Sequence, residues 1–491
     1  MNVLLISTYE LGRQPFGLAS PAAWLRAAGM RVSCADVSRA SWDEESVREA
    51  DFIAFYVPMH TATRLALEAL AAVRKLNPRA HICFYGLYAP VNEAYLRRLG
   101  AQTILGGEFE GGLLSAVERV RSASPALLRR VPSPQGRKPE SKNVCPLPDA
   151  EGGERSEPGE GCGGQPEPVI SLSRLKFLIP DRLSLPPLAR YARLEHPDGR
   201  PRVTGYTEAS RGCKHLCRHC PVVPVYGGRF RVVPREVVLE DIRRQVAAGA
   251  EHITFGDPDF FNGIGHALAI VTELHREYSS LTYDVTIKVE HLLAHARHLE
   301  TLRKTGCLFV TTAVEAVDDG ILERLQKGHT RADFERVVDL FRQIGLDLAP
   351  TFVAFTPWTT LEGYCELLEA IDLLNLVERV APVQLGIRLL IPAGSRLLEL
   401  EEVRRLIGPF CESDLAYPWR HPDPRVDGLA EEVQQIVREG LKVTQSRQAI
   451  FAKVHALALR RAGFDDQRAW LRTPPLPART TIPYLTEPWY C

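Results

Sequence analysis

The sequence predicts an α/β protein with two parallel-sheet domains and a helical C-terminal extension. Three observations predict it. Short apolar runs alternate with amphipathic segments over residues 1–121. The same alternation resumes over 201–425. Between them, 122–200 changes to a composition that cannot build a core.

Residues 1–121 read as a Rossmann-like domain. The opening MNVLLIS is an apolar run of strand length, with no basic stretch before it as a signal peptide would have. PAAWLRAAG reads as a helix stopping on Gly29. RVSCADV, ADFIAFYV and AHICFYGL are further strands, with LALEALAAVRKLN as an amphipathic helix between the last two. QTILGG closes the set and GGLLSAVERVRS follows as a helix. Strands separated by helices need crossover connections, hence a parallel, doubly wound sheet.

Within 122–200, SPQGRKPESKNVCPLPDAEGGERSEPGEGCGGQPEP is rich in Pro, Gly, Ser and charge and reads as a disordered linker. LPPLARYARLEHPDG behind it reads as a clasp into the next domain. Over 201–425, TGYTEASRG, EHITFGD, TYDVTIKVE, CLFVTTAVE, DLAPTFVAF and VQLGIRLLIP are six strand candidates with helices between them. In ADFERVVDLFRQIG, Phe334, Val337, Val338, Phe341 and Ile344 share one face, and Gly345 supplies the stop. Six such units describe a partial (β/α)6 barrel, whose chemistry belongs at the C-terminal ends of the strands. Residues 426–491 form a helical extension and then a Pro-rich tail ending at Cys491.

Sixty Lys and Arg balance sixty Asp and Glu over 491 residues. That balance argues against a general nucleic-acid or membrane-surface role. No apolar run reaches the ~18 residues of a transmembrane helix. A cytoplasmic protein without a membrane partner is expected, and nucleic acid is disfavoured as a substrate. The eleven cysteines are then free, catalytic or metal-bound rather than paired. Cys34, Cys83, Cys307, Cys365 and Cys411 sit in apolar contexts as small core residues. Cys145 and Cys162 lie in the low-complexity stretch.

The strongest chemical signal is SRGCKHLCRHCP, which spaces Cys213, Cys217 and Cys220 as C-x3-C-x2-C directly after the first barrel strand. Three thiolates in one loop suit a zinc knuckle short of its fourth ligand, or an iron–sulfur cluster with one iron left open. This pattern resembles the radical SAM superfamily. The resemblance implies a [4Fe–4S] cluster on the three cysteines, with S-adenosylmethionine (SAM) chelated at the open iron and cleaved by one electron. It also implies an external donor of ferredoxin or flavodoxin type. Gly256 and Asp257, in GDPD, stand where the superfamily has a GGE-like turn that binds the SAM amino group. The departure from Gly-Gly-Glu leaves an ordinary turn as the alternative. Glu290 after strand three, Glu315 at the end of strand four and Arg388 in GIRLLIP are further candidate SAM contacts, with structural ion pairs as their alternative. His219 occupies a place where an aromatic residue is frequent. LQKGHT resembles a helix-cap segment of the class.

A Rossmann-like domain ahead of such a barrel resembles the cobalamin-binding architecture of B12-dependent radical SAM enzymes, so cobalamin is a further candidate cofactor. The loop STYELGRQPFG carries no histidine to ligate cobalt. Gly106-Gly107-Glu108 could approach a corrin tail, or the domain could be a degenerate scaffold. The central stretches ASRGCKHLCRHCPVVPVYGGRFR, HITFGDPDFFNG, KVEHLL and PTFVAFTPWTT resemble the CUAEP/CCAEP-tail radical SAM proteins more narrowly. That family ends in Cys, then selenocysteine or Cys, then Ala-Glu-Pro. The expectation is that the reading frame continues past Cys491 through a UGA codon, and that Cys491 is one half of a reactive pair. A vicinal thiol–selenol would be largely ionised at neutral pH and would favour soft partners.

The sequence therefore points to an enzyme that cleaves SAM reductively and modifies a substrate, with cobalamin-assisted methyl transfer as one form. Transfer of another SAM fragment to a soft element held by the tail is a second form. An iron–sulfur or zinc sensor is the non-enzymatic alternative.

Overall fold

The computed structural model describes residues 1–123, 169–196 and 198–464, together with the backbone of 484–485. Cys145, Cys162, Cys491 and most of the Pro-rich tail lie outside the described residues.

The first sheet contains β1 (Asn2–Ser7), β2 (Arg31–Asp36), β3 (Phe52–Tyr56), β4 (His81–Tyr85), β5 (Thr103–Gly107) and β6 (Ile170–Ser171), in the order β2-β1-β3-β4-β5-β6. Every pairing is parallel. The central strands are apolar on both faces, as a sheet covered on both sides requires. Phe16–Ala27 and Phe109–Ala123 cover one face and His60–Leu76 the other. The chain order reverses between β1 and β3, where doubly wound sheets take ligands at their carboxyl edge.

Behind the stretch expected to be a disordered linker, the chain rejoins the fold, and most of the segment expected as a clasp lies within it. Residues 169–196 belong to the fold: β6 extends the first sheet, and β7 (Arg193–Glu195) runs antiparallel to the first barrel strand. The stretch carries its own anchors, which a composition averaged over 122–200 hides. Asp181 pairs with Arg26 at 2.7 Å, and Arg182 binds the buried Asp241 through two nitrogens at 2.9 Å each.

The second sheet is built on β8 (Arg202–Thr207). A two-stranded ribbon follows it, β9 (Ser210–Gly212) with β10 (Phe230–Val232). Next come β11 (His252–Phe255), β12 (Thr282–Thr286), β13 (Cys307–Glu315) and β14 (Asp347–Phe352). The sheet order is β14-β13-β12-β11-β8-β7-β15, where β15 (Tyr484–Leu485) pairs antiparallel with β7. The five consecutive barrel strands are parallel. The sixth strand expected from VQLGIRLLIP is cut short: its first half is a 3-10 helix, Pro382–Gly386, and only residues 387–389 pair with Phe355, in parallel, through two backbone hydrogen bonds. Pro382 cannot donate to a ladder. The Gln384 side chain takes the partner's place, accepting from the Phe352 backbone N–H at 3.0 Å.

Helix Arg331–Ile344 buries Phe334, Val337, Val338 and Phe341 as its periodicity requires. A capping box of Thr330 and Asp333 starts it, and left-handed Gly345 ends it. The extension forms two helices, Pro424–Lys442 and Arg447–Ala462, packed on the open side of the barrel.

Candidate cluster and cofactor site

Gly212 turns the chain from β9 into the cysteine loop. Its φ is +73°, and a Cβ there would lie 2.4 Å from the Tyr226 ring and 2.5 Å from the Arg229 carbonyl. The loop is pinned at several points. Asn262 Oδ1 accepts from Lys214 N at 3.3 Å, and Asn262 Nδ2 donates to the Gly212 carbonyl. Arg218 donates its backbone N–H to Leu325 O and its guanidinium to Arg324 O, both at 2.9 Å. Arg396 donates to Leu216 O at 2.7 Å. Cys217 is buried and Cys213 and Cys220 are half-buried. Burial raises the Cys213 thiol and pushes Cys220 up to about 12. Such thiols stay protonated until a metal takes their charge.

The donor set fits a cluster with one open iron. Three thiols share one held loop, and Lys327 is the buried cation nearby: it raises no further ligand but offsets negative charge at Cys217 and Cys220. Lys327 Nζ donates to Glu315 Oε1 at 3.2 Å, and His219 Nε2 lies 3.1 Å from the same oxygen. Burial alone would raise the Glu315 carboxyl, but Lys327 and His219 hold it at about 2. Glu315 is non-glycine with φ +73°, at the bulged carboxyl end of β13. His329, pushed down to about 4 by burial and then by Lys327, completes this rim. The sequence located Glu315 and His219 but not Lys327, whose burial only the fold reveals.

The GDPD turn is placed beside the loop. Asp257 accepts from Ala209 N at 3.0 Å and Ser210 Oγ at 2.5 Å, so it ties β11 to the β8–β9 turn. Gly256 is required by a close approach, since a Cβ would lie 1.8 Å from Tyr206 Oη. Glu290 is half-exposed and binds Lys288 Nζ at 3.1 Å. Arg388 stacks on Trp419 at 3.7 Å and pairs with Asp427 at 2.7 Å, the structural ion pair weighed as its alternative. Three residues escaped the sequence reading: His215, Asp259 and His291 converge behind the loop, with ligand atoms all within 4.8 Å of one another.

A buried charge cluster ties β9 to the segment that follows β5 of the first sheet. Arg211, 6% exposed, reaches across from β9 to Glu110 Oε1 at 2.7 Å, Glu108 Oε2 at 3.3 Å and Glu208 Oε2 at 2.9 Å. Its guanidinium also lies over Phe16, Phe109 and Phe177. Burial, partly offset by Arg211, raises Glu208 to about 7, and burial raises Glu108 as well. Beside them Glu10 is buried, with Oε2 unpartnered, and burial lifts its carboxyl well above the usual range.

Residues 207–374 match the Radical SAM superfamily. The chain is 28% identical over 183 residues to tRNA-2-methylthio-N(6)-dimethylallyladenosine synthase of Desulfosudis oleivorans, covering 35% of this chain and 38% of that protein. It is 26% identical over 151 residues to hopanoid C-3 methylase of Methylococcus capsulatus, covering 31% of this chain and 29% of that protein. Among solved structures it resembles the cobalamin-dependent radical enzyme OxsB with aqua-cobalamin and SAM bound, at TM-score 0.62 and 13% identity, over 89% of this chain and 67% of that one. It also resembles TsrM of Kitasatospora setae with cobalamin and a [4Fe-4S] cluster bound, at TM-score 0.54 and 18% identity, over 76% and 70%. The chain spans roughly a third of the length of the curated relatives it matches. It therefore carries a radical SAM domain, that of an enzyme whose class uses a [4Fe–4S] cluster, SAM and a reductant. Around that domain the fold is the two-domain one seen in OxsB and TsrM.

Among the described residues, no helix is long and apolar enough to cross a membrane.

Proposed function

We propose that the protein cleaves SAM reductively at a cluster held by Cys213, Cys217 and Cys220 and uses the product to modify a substrate. One observation carries this reading: three thiols on a held loop after β8, inside the stretch that matches the superfamily. When bound, such a cluster supplies the electron that breaks the S–C5′ bond of SAM. The chain's own residues shape the place where this happens. Lys327 and Glu315 set a buried charge pair at the barrel mouth, and His219 is held against Glu315. Gly256, Asp257, Glu290 and Glu315 remain the proposed surroundings of SAM.

Methyl transfer assisted by cobalamin is the finer reading. Its support is the fold likeness to OxsB and TsrM and the match to a methylase. Membership of the CUAEP/CCAEP-tail group is also part of the proposal and rests on the central motifs; the genomic codon after Cys491 tests it. An electron donor of ferredoxin or flavodoxin type and a cytoplasmic location complete the reading. The test is anaerobic reconstitution, reduction and analysis of SAM products with and without cobalamin. 5′-Deoxyadenosine supports radical cleavage, and S-adenosylhomocysteine appearing only with cobalamin supports methyl transfer. A full cluster that leaves SAM intact under reduction would overturn the proposal.

A further inference from the structure

The strongest unassigned feature is the convergence of His215, Asp259 and His291. Each arrives from a different element. His215 lies in the cysteine loop between Cys213 and Cys217. Asp259 caps the 3-10 helix Phe260–Gly263, its Oδ1 accepting from Phe261 N at 3.0 Å. His291 lies in helix Val289–Ala294 after β12. The cap uses one carboxylate oxygen and leaves Oδ2 turned toward the two imidazoles. Oδ2 lies 2.7 Å from His291 Nδ1 and 3.3 Å from His215 Nε2.

These same three atoms are buried without a hydrogen-bond partner. Oδ2 is nonetheless at ion-pair distance from both imidazoles, so the three groups lean on one another. Buried polar atoms are normally paired, and each exception calls for an explanation. Three such donors from three elements, all within 4.8 Å of one another, are grouped as ligands are. For an ion about 2.0–2.2 Å from each donor, neighbouring donors lie roughly 3–3.5 Å apart; His215 Nε2 is already at that distance from Asp259 Oδ2, at 3.3 Å, and His291 Nδ1, at 2.7 Å, has only to draw back slightly. The rings of His215 and His291 are 4.6 Å apart and inclined at 58°, so both can present a nitrogen to one centre. The other nitrogen of His215 faces Glu290 Oε2 at 3.6 Å, and Lys288 lies 3.3 Å from that nitrogen while binding the same carboxylate.

We propose that His215 Nε2, Asp259 Oδ2 and His291 Nδ1 bind one divalent first-row transition ion, separate from the iron held by the cysteines. Two imidazoles and one carboxylate suit zinc or ferrous iron and leave coordination positions open. The ion clasps the cysteine loop to the β11 loop and to the helix after β12. The proposal does not depend on SAM being the substrate of the barrel.

The test uses the full chain with its cluster reconstituted anaerobically, exposed to Zn²⁺ alone and then freed of excess by gel filtration. Metal content is read together with acid-labile sulfide, so cluster iron is counted separately. The wild type should retain about one zinc per chain beyond the cluster, as a three-ligand site of this donor set requires. His291→Gln and Asp259→Asn should each weaken zinc binding by more than about 100-fold, beyond what outer-shell changes cost, with iron and sulfide unchanged. A chain whose three cluster cysteines are replaced by alanine should still take up the zinc and show cobalt d–d absorption when Co²⁺ replaces it. Circular dichroism and thermal melting establish that each variant is folded. No zinc retained by the wild type, or equal retention by His291→Gln, overturns the proposal while leaving the SAM-cleavage reading standing. Zinc lost together with the cysteines also overturns it.

Discussion

Replacing Arg211 with methionine should separate the two domains energetically, and do so in a pH-dependent way. Methionine keeps the apolar stem among Phe16, Phe109 and Phe177 but removes the one cation serving Glu108, Glu110 and Glu208. Removing one partner of a buried ion pair costs about 3–5 kcal/mol, because the other charge stays uncompensated. That corresponds to a melting shift on the order of 10 °C for a domain of this size. The carboxyls can escape the penalty by taking up protons. Glu208 already titrates at about 7 in the fold against an ordinary 4.5. A carboxyl raised in this way stabilises the fold fully below its ordinary value, and that stabilisation, roughly 3 kcal/mol for such a difference, is lost as pH rises toward 7. The cost of Arg211→Met should therefore be largest near about pH 8 and shrink by about 1–3 kcal/mol near about pH 5, where Glu208 is neutral. Thermal melts of wild type and variant across that range, with limited proteolysis to report domain separation, measure it. A cost that does not vary with pH, or one under about 1 kcal/mol at about pH 8, would refute the assignment of Arg211 as the charge that holds the three carboxyls together.

Other outcomes follow from the same geometry. Gly256→Ala places a Cβ 1.8 Å from Tyr206 Oη; it should destabilise by about 1–3 kcal/mol, and adding Tyr206→Ala should relieve most of the strain in a thermal melt. Lys327→Met leaves buried Glu315 with His219 alone; a loss of about 3 kcal/mol is expected by denaturant titration, and Glu315→Gln in the same chain should recover part of it. Arg388→Met removes the Asp427 pair and the Trp419 stack; it should lower the melting temperature yet leave the equilibrium constant for SAM, measured by calorimetry on the cluster-loaded protein, within about twofold. A large loss of SAM affinity would restore Arg388 as a SAM contact.

The parts of the fold carried by local patterning were legible in the sequence. MNVLLIS, ADFIAFYV and AHICFYGL have the unbroken apolar character of strands covered on both faces, and they became β1, β3 and β4. The Phe334–Phe341 face and its Gly345 stop were readable because helix period and cap agree. VQLGIRLLIP misled because its apolar run resembles a strand, while Pro382 and the Gln384 side chain settle it otherwise. The ordered 169–196 segment was hidden because its anchors, Asp181 and Arg182, pair with residues far away in sequence. The same holds at the site. The cysteine spacing is local and legible, whereas Lys327, His215, Asp259 and His291 acquire meaning only when three barrel loops are brought together.

Strand β9 is only three residues long, yet its successive side chains face different masters. Ser210 is held by Asp257 of the barrel and Arg211 by glutamates of the N-terminal sheet; Gly212 then hands the chain to Cys213. The first cysteine of the triplet thus sits two residues from the seam between the sheets, so any shift of one sheet against the other is passed directly to the thiol loop.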